Sequence, residues 1–378
     1  MKKLRIAQIA PFWFDVPPKN YGGTERIVSY ITEELVKRGH EVTLFATETS
    51  VTKAKLVSPI KSSLLKTIEY YCDPNFNAVN SYVNYEVFKR AEEFDIIHSH
   101  ANYFSFPFCD FVKTPTIHTL HNQLPRNRET ENELMKKFCH LNFISISDEF
   151  RTHFDHLNYI TTVYHGLDRK YFPFNKIGGD YLFWIGRASK NKGEDDAIET
   201  AKITGKKLLL GASIRKDTEE YFEKVIKPNL NDKIKLISNV TFEETHKYYG
   251  SSKAFIFPVK WKEPFGLIMI ESMACGSPVI AYSRGSVQEI VKDGETGFLV
   301  NPSNEEKTGD WIIKKTGIEG LKEAVEKIYS MPQGEYLKMR QACRSRVEQL
   351  FTVEKMVDNY EKVYYEILIK NENRNFSF

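Results

Sequence analysis

The chain has 378 residues, enough for two domains, and its 41% hydrophobic and 27% charged residues are ordinary for a globular protein. Its 53 lysines and arginines against 50 aspartates and glutamates give a net charge of only +3, which argues against a nucleic-acid partner. The five cysteines are scattered, and no apolar run approaches the roughly 18 residues of a membrane span. We therefore expect a cytoplasmic protein without disulfides, a zinc site or a transmembrane helix.

Short β-prone runs alternate with amphipathic stretches through the first half of the chain, a pattern typical of a doubly wound parallel α/β sheet. The predicted strands are Leu4–Ala10, Glu41–Ala46, Asp95–His98, Pro115–Leu120, Asn142–Ile146 and Ile160–Tyr164. The predicted helices are Gly23–Arg38, Asn84–Glu93, Glu129–Phe138 and Asp148–His156. Residues 51–66 carry four lysines and no acid, and we interpret them as a solvated loop, with weak peripheral contact to a membrane surface as the alternative.

A linker at residues 169–179 separates this half from a second one, in which the same alternation starts again. The predicted strands there are Tyr181–Ile185, Lys207–Leu210, Lys233–Ile237, Ala254–Pro258, Pro278–Ala281 and Phe298–Val300. The sequence therefore predicts two Rossmann-like domains, residues 1–170 and 180–352, facing a cleft. Ligands of such sheets bind at the carboxyl ends of the strands.

Glu263 and Glu271 flank an apolar run after one of these strands. If a helix starts at Pro264, eight steps of about 100° bring both carboxylates to the same wall. The first amides of that helix would lack intrahelical partners and attract phosphate. Carboxylates at the flanks with phosphate donors between them suit a nucleotide sugar. The amides concerned are those of Phe265, Gly266 and Leu267.

Arg187 and Lys192 follow the predicted strand Tyr181–Ile185, beside a helix start where cations are unfavourable unless an anion is bound. A diphosphate would be such an anion, and the two cations would stabilise the charge that builds on it as a leaving group. A solvated charged loop is the alternative. No convincing Asp-x-Asp motif is present, and we interpret Asp195-Asp196 as a solvated helix face, so we expect catalysis without a metal or another cofactor.

Together these motifs resemble the signature of retaining, nucleotide-sugar-dependent glycosyltransferases of the GT-B fold, the "group 1" or family-four class. The resemblance covers roughly residues 4 to 300, and His165 stands where the family carries an asparagine. It implies that the last helix, within residues 353–378, crosses back onto the first domain. The matching segments are Gly22–Arg26, Val163–Asp168, Ile185–Arg187, Lys192-Gly193, Glu263–Gly266 with Glu271–Ile280, and Gly285, Glu289, Asp293-Gly294 and Gly297–Val300.

The resemblance also implies roles for individual residues. Glu271 would hold the ribose hydroxyls, and Glu263 the hydroxyls of the donor sugar. Arg187 and Lys192 would bind the diphosphate. The Gly22-Gly23 pair would let the backbone approach the donor phosphate, with a plain flexible turn as the alternative.

Four histidines, at 98, 100, 118 and 121, superficially suggest a metal cluster. We expect none, because His98 and His100 should point to opposite faces of a strand and so fail to share an ion. We interpret His118 as structural. The resemblance places His121 beside the donor sugar, with a packed core histidine as the alternative.

The resulting hypothesis is a retaining, metal-independent hexosyltransferase that uses a nucleoside-diphosphate sugar, with UDP favoured over GDP, ADP and TDP. Same-face attack is favoured over double displacement. The alternatives are a nucleotide-sugar-binding protein without turnover and another GT-B activity, such as a nucleotide-sugar epimerase or a sugar phosphorylase. The oligomeric state stays open.

The acceptor is the least determined partner. The opening of the chain resembles a subgroup that includes glucosyltransferases acting on tetrahydrobiopterin, which favours a small heterocyclic acceptor. A surface polysaccharide or a lipid-linked sugar is the alternative. We expect residues 11–23, 51–84 and 122–128 to govern acceptor choice, and the backbone of residues 238–241 to contact the nucleotide base.

Overall fold

The computed structural model describes residues 2–20, 22–64, 74–122, 129–237 and 240–375. The chain divides into two compact units. The first comprises Met1–Gly166 together with Val353–Phe378, and the second comprises Leu167–Thr352.

The described part of the first unit is built on a parallel sheet of seven strands in the order β3-β2-β1-β4-β5-β6-β7. The central strands are buried along almost their whole length, as expected for a parallel sheet covered on both faces. The strands are β1 Arg5–Ile9, β2 Glu41–Phe45, β3 Lys55–Val57, β4 Ile96–Ser99, β5 Thr116–Thr119, β6 Asn142–Ser145 and β7 Tyr159–Thr162.

Helices connect these strands and cover the sheet. The α-helices are Gly23–Lys37, Pro74–Phe88, Glu129–Lys137, Asp148–Arg151 and the last helix of the chain, Val353–Asn375. Two 3-10 helices, Ala91–Glu93 and Asn102–Phe111, flank β4. The last helix packs on Gly23–Lys37, where Arg38 and His40 both pair with the Glu361 carboxylate.

The described part of the second unit contains a parallel sheet of six strands in the order β10-β9-β8-β11-β12-β13. Its apolar side chains form a continuous buried core that includes Trp184, Leu210, Ile256 and Ile280. The strands are β8 Tyr181–Arg187, β9 Lys207–Ser213, β10 Ile234–Leu236, β11 Ala254–Phe257, β12 Val279–Tyr282 and β13 Gly297–Val300.

The helices of the second unit alternate with these strands. The α-helices are Glu194–Thr204, Glu219–Tyr221, Phe242–Gly250, Leu267–Ala274, Val287–Ile290, Gly317–Ser330 and Gln333–Leu350. The shorter elements are the 3-10 helices Arg169–Tyr171, Lys190–Lys192 and Lys227–Asn229 and the π-helix Phe222–Ile226. The two parallel sheets with alternating helices confirm the doubly wound α/β architecture predicted from the sequence.

Three predicted elements differ from the observed ones. Lys55–Val57, within the segment interpreted as a solvated loop, is an edge strand paired in parallel with β2. The predicted helix Asn84–Glu93 overlaps only the end of Pro74–Phe88, which continues into a 3-10 turn. The helix predicted over residues 148–156 ends at Arg151. The edge strand escaped prediction because three residues are too short to show a periodic pattern.

Candidate active site

Strands β8 and β11 are hydrogen-bonded neighbours, although the strands that follow each of them run outward to opposite edges of the sheet. Such a switch point leaves a crevice outside the carboxyl ends of the strands, where ligands of doubly wound folds bind. Arg187 and Lys192 lie at or after the end of β8, and Glu263 follows β11. The second unit therefore brings these three predicted site residues to one edge of its sheet.

The loop after β8 is held against the segment after β11 by backbone contacts. Gly193 adopts a φ of +73°, and a Cβ there would lie 1.9 Å from the carbonyl oxygen of Pro258. The amide of Lys260 also donates a hydrogen bond to the carbonyl of Asn191 at 2.9 Å. Because only glycine permits so close an approach, Gly193 fixes the position of Lys192 relative to the second segment.

Lys192, Trp261 and Glu263 share one hydrogen-bonded group, which we call the Glu263 cluster. Lys192 Nζ donates to Glu263 Oε2 at 3.1 Å, and Trp261 Nε1 donates to the same oxygen at 2.8 Å. Lys192 Nζ also lies 4.8 Å from the centroid of the Trp261 ring. Glu263 is only 9% exposed, and these two donors offset the cost of burying its charge.

Arg187 is half-buried at the end of β8. Its guanidinium makes no hydrogen bond or ion pair with the residues that the structure describes. An arginine held at a strand end without a carboxylate partner can donate to an added anion, and its planar donors suit phosphate oxygens.

The backbone around Glu263 is fixed by a neighbouring turn rather than by a helix. Glu263 and Gly285 form an isolated parallel bridge, and the amide of Ser286 donates to the Glu263 carbonyl at 3.0 Å. Ser286 Oγ donates to the carbonyl of Phe265 at 2.7 Å. Gly285 has a φ of +64°, and a Cβ there would lie 2.4 Å from the Glu263 carbonyl oxygen.

The expectation that a helix starting at Pro264 carries both carboxylates is wrong. The helix is Leu267–Ala274, and its N-cap is Gly266 with a φ of +86°. A residue in this left-handed conformation interrupts the helical path, so helical periodicity cannot relate Glu263 to Glu271. Phe265 is buried and precedes the helix, whereas the amide of Leu267 belongs to its first turn.

Glu271 lies within this helix and is half-buried. The hydroxyl of Tyr249, on helix Phe242–Gly250, donates to Glu271 Oε2 at 3.1 Å. Tyr249 is fully buried, and this burial together with the Glu271 charge holds the pKa of its phenol well above the ordinary value. Tyr249 therefore remains a hydrogen-bond donor to Glu271 at every working pH.

The acidic pair Asp195-Asp196 is not the solvated face expected from the sequence. Lys260 Nζ lies 2.7 Å from a carboxylate oxygen of each aspartate, and the Tyr282 hydroxyl donates to Asp196 at 2.7 Å. The pair therefore anchors the segment after β11 to the start of helix Glu194–Thr204. The sequence alone does not reveal this ion pair, because Lys260 lies 64 residues after Asp196 and only the fold brings the two side chains together.

The Gly22-Gly23 pair lies at the start of the first helix of the first unit. Gly22 is the N-cap with a φ of +142°, and a Cβ there would lie 2.8 Å from Pro18 Cβ. Arg26 donates to the carbonyls of Pro18 and Asn20, both at 3.0 Å. Pro18, Asn20 and Arg26 are therefore packed closely around Gly22, and the role of the glycine pair in approaching the donor phosphate stays a prediction.

His121 is buried in a chain of side-chain hydrogen bonds in the first unit. Its Nε2 lies 2.8 Å from His100 Nδ1, and its Nδ1 lies 3.3 Å from His165 Nε2. Burial lowers the pKa of His121 to about 3, so it is neutral near pH 7. His118 is also buried, with Ser105 Oγ 3.2 Å from its Nδ1, in agreement with a structural role.

The expectation that His98 and His100 diverge is wrong, because their ring centroids lie only 4.0 Å apart. Residues two apart along an extended strand share a face, so the two rings lie on the same side of the chain. His98 bonds the Tyr364 hydroxyl and Thr119, while His100 bonds Gln8. Within the described ranges, no group of three or more His, Cys, Asp or Glu side chains is arranged to hold a metal ion.

Several expectations concern residues that the structure does not describe. They are residues 65–73 and 123–128 of the predicted acceptor segments, Tyr21, and residues 238 and 239 of the predicted base-binding segment. Among the helices that are described, none is both long and apolar enough to cross a bilayer.

Sequence reasoning missed Trp261 and Tyr249, the two residues that hold the carboxylates of Glu263 and Glu271. Trp261 lies only two residues before Glu263, so the spacing of the two residues could have indicated a contact between their side chains. Tyr249 lies on a different helix, and its contact with Glu271 depends on how the two helices pack. Gly285 was part of the family resemblance, but its role in holding Glu263 required the structure.

Comparison with known proteins identifies two family profiles along the chain. Residues 21–177 match the profile described as "Glycosyltransferase Family 4". Residues 172–316 match the profile described as "Glycosyl transferases group 1". A similar curated protein is an uncharacterized glycosyltransferase of Methanocaldococcus jannaschii, which is 27% identical over 265 residues, covering 65% of this chain and 72% of that protein.

Solved structures share the fold over nearly the whole chain. Sucrose-phosphate synthase from Thermosynechococcus elongatus has a TM-score of 0.77 at 20% identity, covering 98% of this chain and 100% of that one. HepE from Anabaena in complex with UDP-glucose has a TM-score of 0.70 at 16% identity, covering 96% of this chain and 100% of that one. Because the two profiles together run from residue 21 to residue 316 and the architecture is that of these neighbours, the chain belongs to glycosyltransferase family four and is a glycosyltransferase with the GT-B fold.

Proposed function

We propose that this enzyme is a retaining hexosyltransferase that transfers a sugar from a UDP-linked donor to an acceptor hydroxyl without a metal ion. The observation that carries the proposal is the pairing of Lys192 with Glu263 at the switch point of the second sheet. It joins a cation suited to phosphate with a carboxylate suited to sugar hydroxyls, which are the two chemical parts of a nucleotide sugar.

Arg187 and Lys192 are the proposed diphosphate ligands. The Arg187 guanidinium has no partner among the described side chains, so it is available to an anion without first breaking an ion pair. Among the residues that the structure describes, Lys192 has one carboxylate partner, and an ammonium group carries three donors. It can therefore bind a phosphate oxygen while keeping its contact with Glu263. Both cations would stabilise the charge that develops on the leaving diphosphate.

Glu263 is the proposed ligand of the donor sugar. Its Oε2 is occupied by Lys192 and Trp261, and Oε1 accepts no hydrogen bond from the described residues. A carboxylate oxygen in this state can accept from sugar hydroxyls and hold the ring as positive charge develops on it. Retention through same-face attack would deliver the acceptor proton to the departing phosphate oxygen, a route that the family resemblance suggests. His121 beside the donor sugar stays a prediction.

Glu271 is the proposed ligand of the ribose hydroxyls, with Tyr249 holding its carboxylate. The likeness to HepE, whose structure contains UDP-glucose, supports UDP as the nucleotide and glucose as the first sugar to test. A small heterocyclic acceptor is favoured by the resemblance of the first residues of the chain.

The first experiment measures binding to the full chain by thermal shift and calorimetry. The ligands are UDP, GDP, ADP and TDP and the glucose conjugate of each nucleotide. Selective stabilisation by UDP and UDP-glucose is the expected result. Selective stabilisation by another nucleotide would overturn the UDP assignment. No stabilisation by any of them would overturn the proposed donor site.

A pair of variants then tests the two carboxylates separately. Glu271→Ala should weaken UDP binding about tenfold or more, because it removes charge-assisted hydrogen bonds to the ribose. Glu263→Ala should leave UDP binding nearly unchanged and lower turnover of UDP-glucose about 100-fold. Glu326→Ala, an exposed carboxylate on helix Gly317–Ser330, is the matched control. If both site variants behaved like the control, the assignment would be wrong.

A further inference from the structure

Trp261 makes a contact that the proposed function does not by itself explain. Its indole N–H donates to Glu263 Oε2 at 2.8 Å, and its ring face lies 4.8 Å from Lys192 Nζ. One side chain therefore touches both the proposed sugar ligand and a proposed diphosphate ligand, through two different surfaces.

The contact with Glu263 orients the carboxylate. A carboxylate oxygen has two lone pairs, and Oε2 already accepts from Trp261 and Lys192. Rotating the carboxylate would break one or both of these bonds inside a site that is only 9% exposed. Oε1 is therefore held as the oxygen available to a ligand.

The contact with Lys192 limits where the ammonium can lie. A cation near the face of an indole is attracted by the ring, and the attraction is stronger at a partly desolvated site. Lys192 Nζ also lies 6.0 Å from the Phe257 ring centroid, so aromatic faces border it from β11 as well. A long lysine side chain is otherwise free to adopt many rotamers.

We propose that Trp261 is a positioning residue of this glycosyltransferase, whose indole N–H fixes Glu263 for the donor sugar and whose ring holds Lys192 beside the diphosphate. The inference rests on the donor roles assigned to Glu263 and Lys192 under the proposed function. It adds a residue that acts on the donor through these two groups, with the N–H acting on the sugar through Glu263 and the ring acting on the diphosphate through Lys192.

The surrounding loop is anchored independently of Trp261. The neighbouring Lys260 bonds both Asp195 and Asp196, and its amide donates to Asn191. On the other side, the Glu263 backbone is held by Gly285 and Ser286. Changing the indole should therefore leave the path of the chain intact.

The test compares Trp261→Phe with the unaltered full-length protein. Phenylalanine keeps an aromatic face for Lys192 and removes the N–H that Glu263 accepts. The measurements are UDP release from UDP-glucose, to obtain kcat and KM, and calorimetric binding of UDP. We expect kcat to fall about tenfold or more and KM to stay within about twofold. The Kd of UDP should also stay within about twofold, since UDP carries no sugar for Glu263 to orient.

Trp311→Phe is a matched control, because Trp311 Nε1 also donates one hydrogen bond within the second unit, to Ser283 Oγ at 3.1 Å. It should lose an equivalent bond and keep its kcat. A second variant, Trp261→Leu, removes the ring as well as the N–H. It should lower kcat further and raise the Kd of UDP, because Lys192 is then less restrained beside the diphosphate.

Three results would overturn the inference. If Trp261→Phe binds UDP and releases it from UDP-glucose like the unaltered protein, the positioning role is wrong while the proposed function stands. If kcat and the melting temperature fall together and the control does the same, the role of Trp261 is structural. If the unaltered protein binds UDP-glucose neither in calorimetry nor in the thermal-shift panel, the proposed donor fails and this inference fails with it.

Discussion

The hydroxyl of Tyr249 donates a hydrogen bond to Glu271 Oε2 across two helices, at 3.1 Å. Tyr249 is fully buried, whereas Glu271 is half-buried. The buried partner cannot move without disturbing the core, so it fixes one oxygen of a carboxylate that reaches the surface. Under the proposed function, this arrangement would hold Glu271 ready for the ribose hydroxyls before the donor arrives, which would reduce the entropy lost on binding.

Removing this hydroxyl should weaken nucleotide binding and leave the chemical step nearly unchanged. In Tyr249→Phe, the Glu271 carboxylate loses a hydrogen bond worth about 1.5 to 3 kcal/mol, part of which is recovered from water. We expect the Kd of UDP to rise about five- to tenfold, with kcat within about twofold. Calorimetry and steady-state kinetics measure the two quantities. Tyr248→Phe, one residue earlier on the same helix, is the control, and an unchanged Kd in Tyr249→Phe would contradict the positioning of Glu271.

Under the proposed function, the turn at Gly285 should affect catalysis because it holds the backbone of Glu263 in place. In Gly285→Ala, the new Cβ would lie 2.4 Å from the Glu263 carbonyl oxygen, so the Glu263 segment must shift. We expect kcat to fall at least about tenfold, because displacement of a catalytic group by even 1 Å is costly.

Gly205→Ala separates this effect from backbone strain. Gly205 has the same φ of +64°, but a Cβ there would meet only Lys233 Nζ, at 3.9 Å. In both variants, the left-handed conformation of the new alanine should lower the free energy of unfolding by about 1 kcal/mol. Only Gly285→Ala should lose activity as well, and equal activities in the two variants would show that the close approach does not position Glu263.

The sequence allowed the alternation of strands and helices to be predicted because most elements are long enough to show their period. The prediction was wrong where the geometry depends on a single glycine. Gly266 interrupts the chain before helix Leu267–Ala274, and no periodic pattern reveals that Glu263 lies outside the helix. The short edge strand Lys55–Val57 was missed for lack of length.

The motif residues were easier to predict than the residues that hold them. Lys192 and Glu263 carry chemistry that a sequence pattern displays, and the fold brings them to 3.1 Å. Trp261 and Tyr249 are aromatic residues like many others in the chain, and aromatic residues usually pack in cores. The contact of Tyr249 with Glu271 depends on how two helices pack, whereas the contact of Trp261 with Glu263 depends on the local path of the chain. His98 and His100 lie together, as the rule for strand faces requires for residues two apart.

Removal of divalent metal ions should leave glycosyl transfer intact. Under the proposed function, Arg187 and Lys192 provide the positive charge that a metal would otherwise bring to the diphosphate. We expect UDP release from UDP-glucose to be the same, within about twofold, after treatment with EDTA. Complete loss of activity with recovery on addition of Mn²⁺ would show that the two side chains do not suffice.

Glu25 should make the stability of the protein depend on pH. It is 3% exposed on the first helix, and burial raises the pKa of its carboxyl to about 7, although hydrogen bonds from its own amide and that of Phe14 act in the opposite direction. The folded protein therefore holds this proton more tightly than the unfolded chain. As pH rises from about 4.5 to about 7, the unfolded chain loses the proton first, and the stability that this group contributes declines.

Glu25→Gln has no such proton to lose, so the difference in unfolding free energy between this variant and the unaltered protein isolates the effect. Between about pH 5.5 and about pH 7.5, we expect the unaltered protein to lose about 2 kcal/mol relative to Glu25→Gln. Contributions from the buried histidines are common to both proteins and cancel in the difference. Denaturant unfolding at these two pH values measures it, with Glu48→Gln, an exposed carboxylate of the same unit, as control. A difference that stays constant across this pH range would mean that Glu25 is ionised in the folded protein, with its charge stabilised by the amides of the loop before the helix.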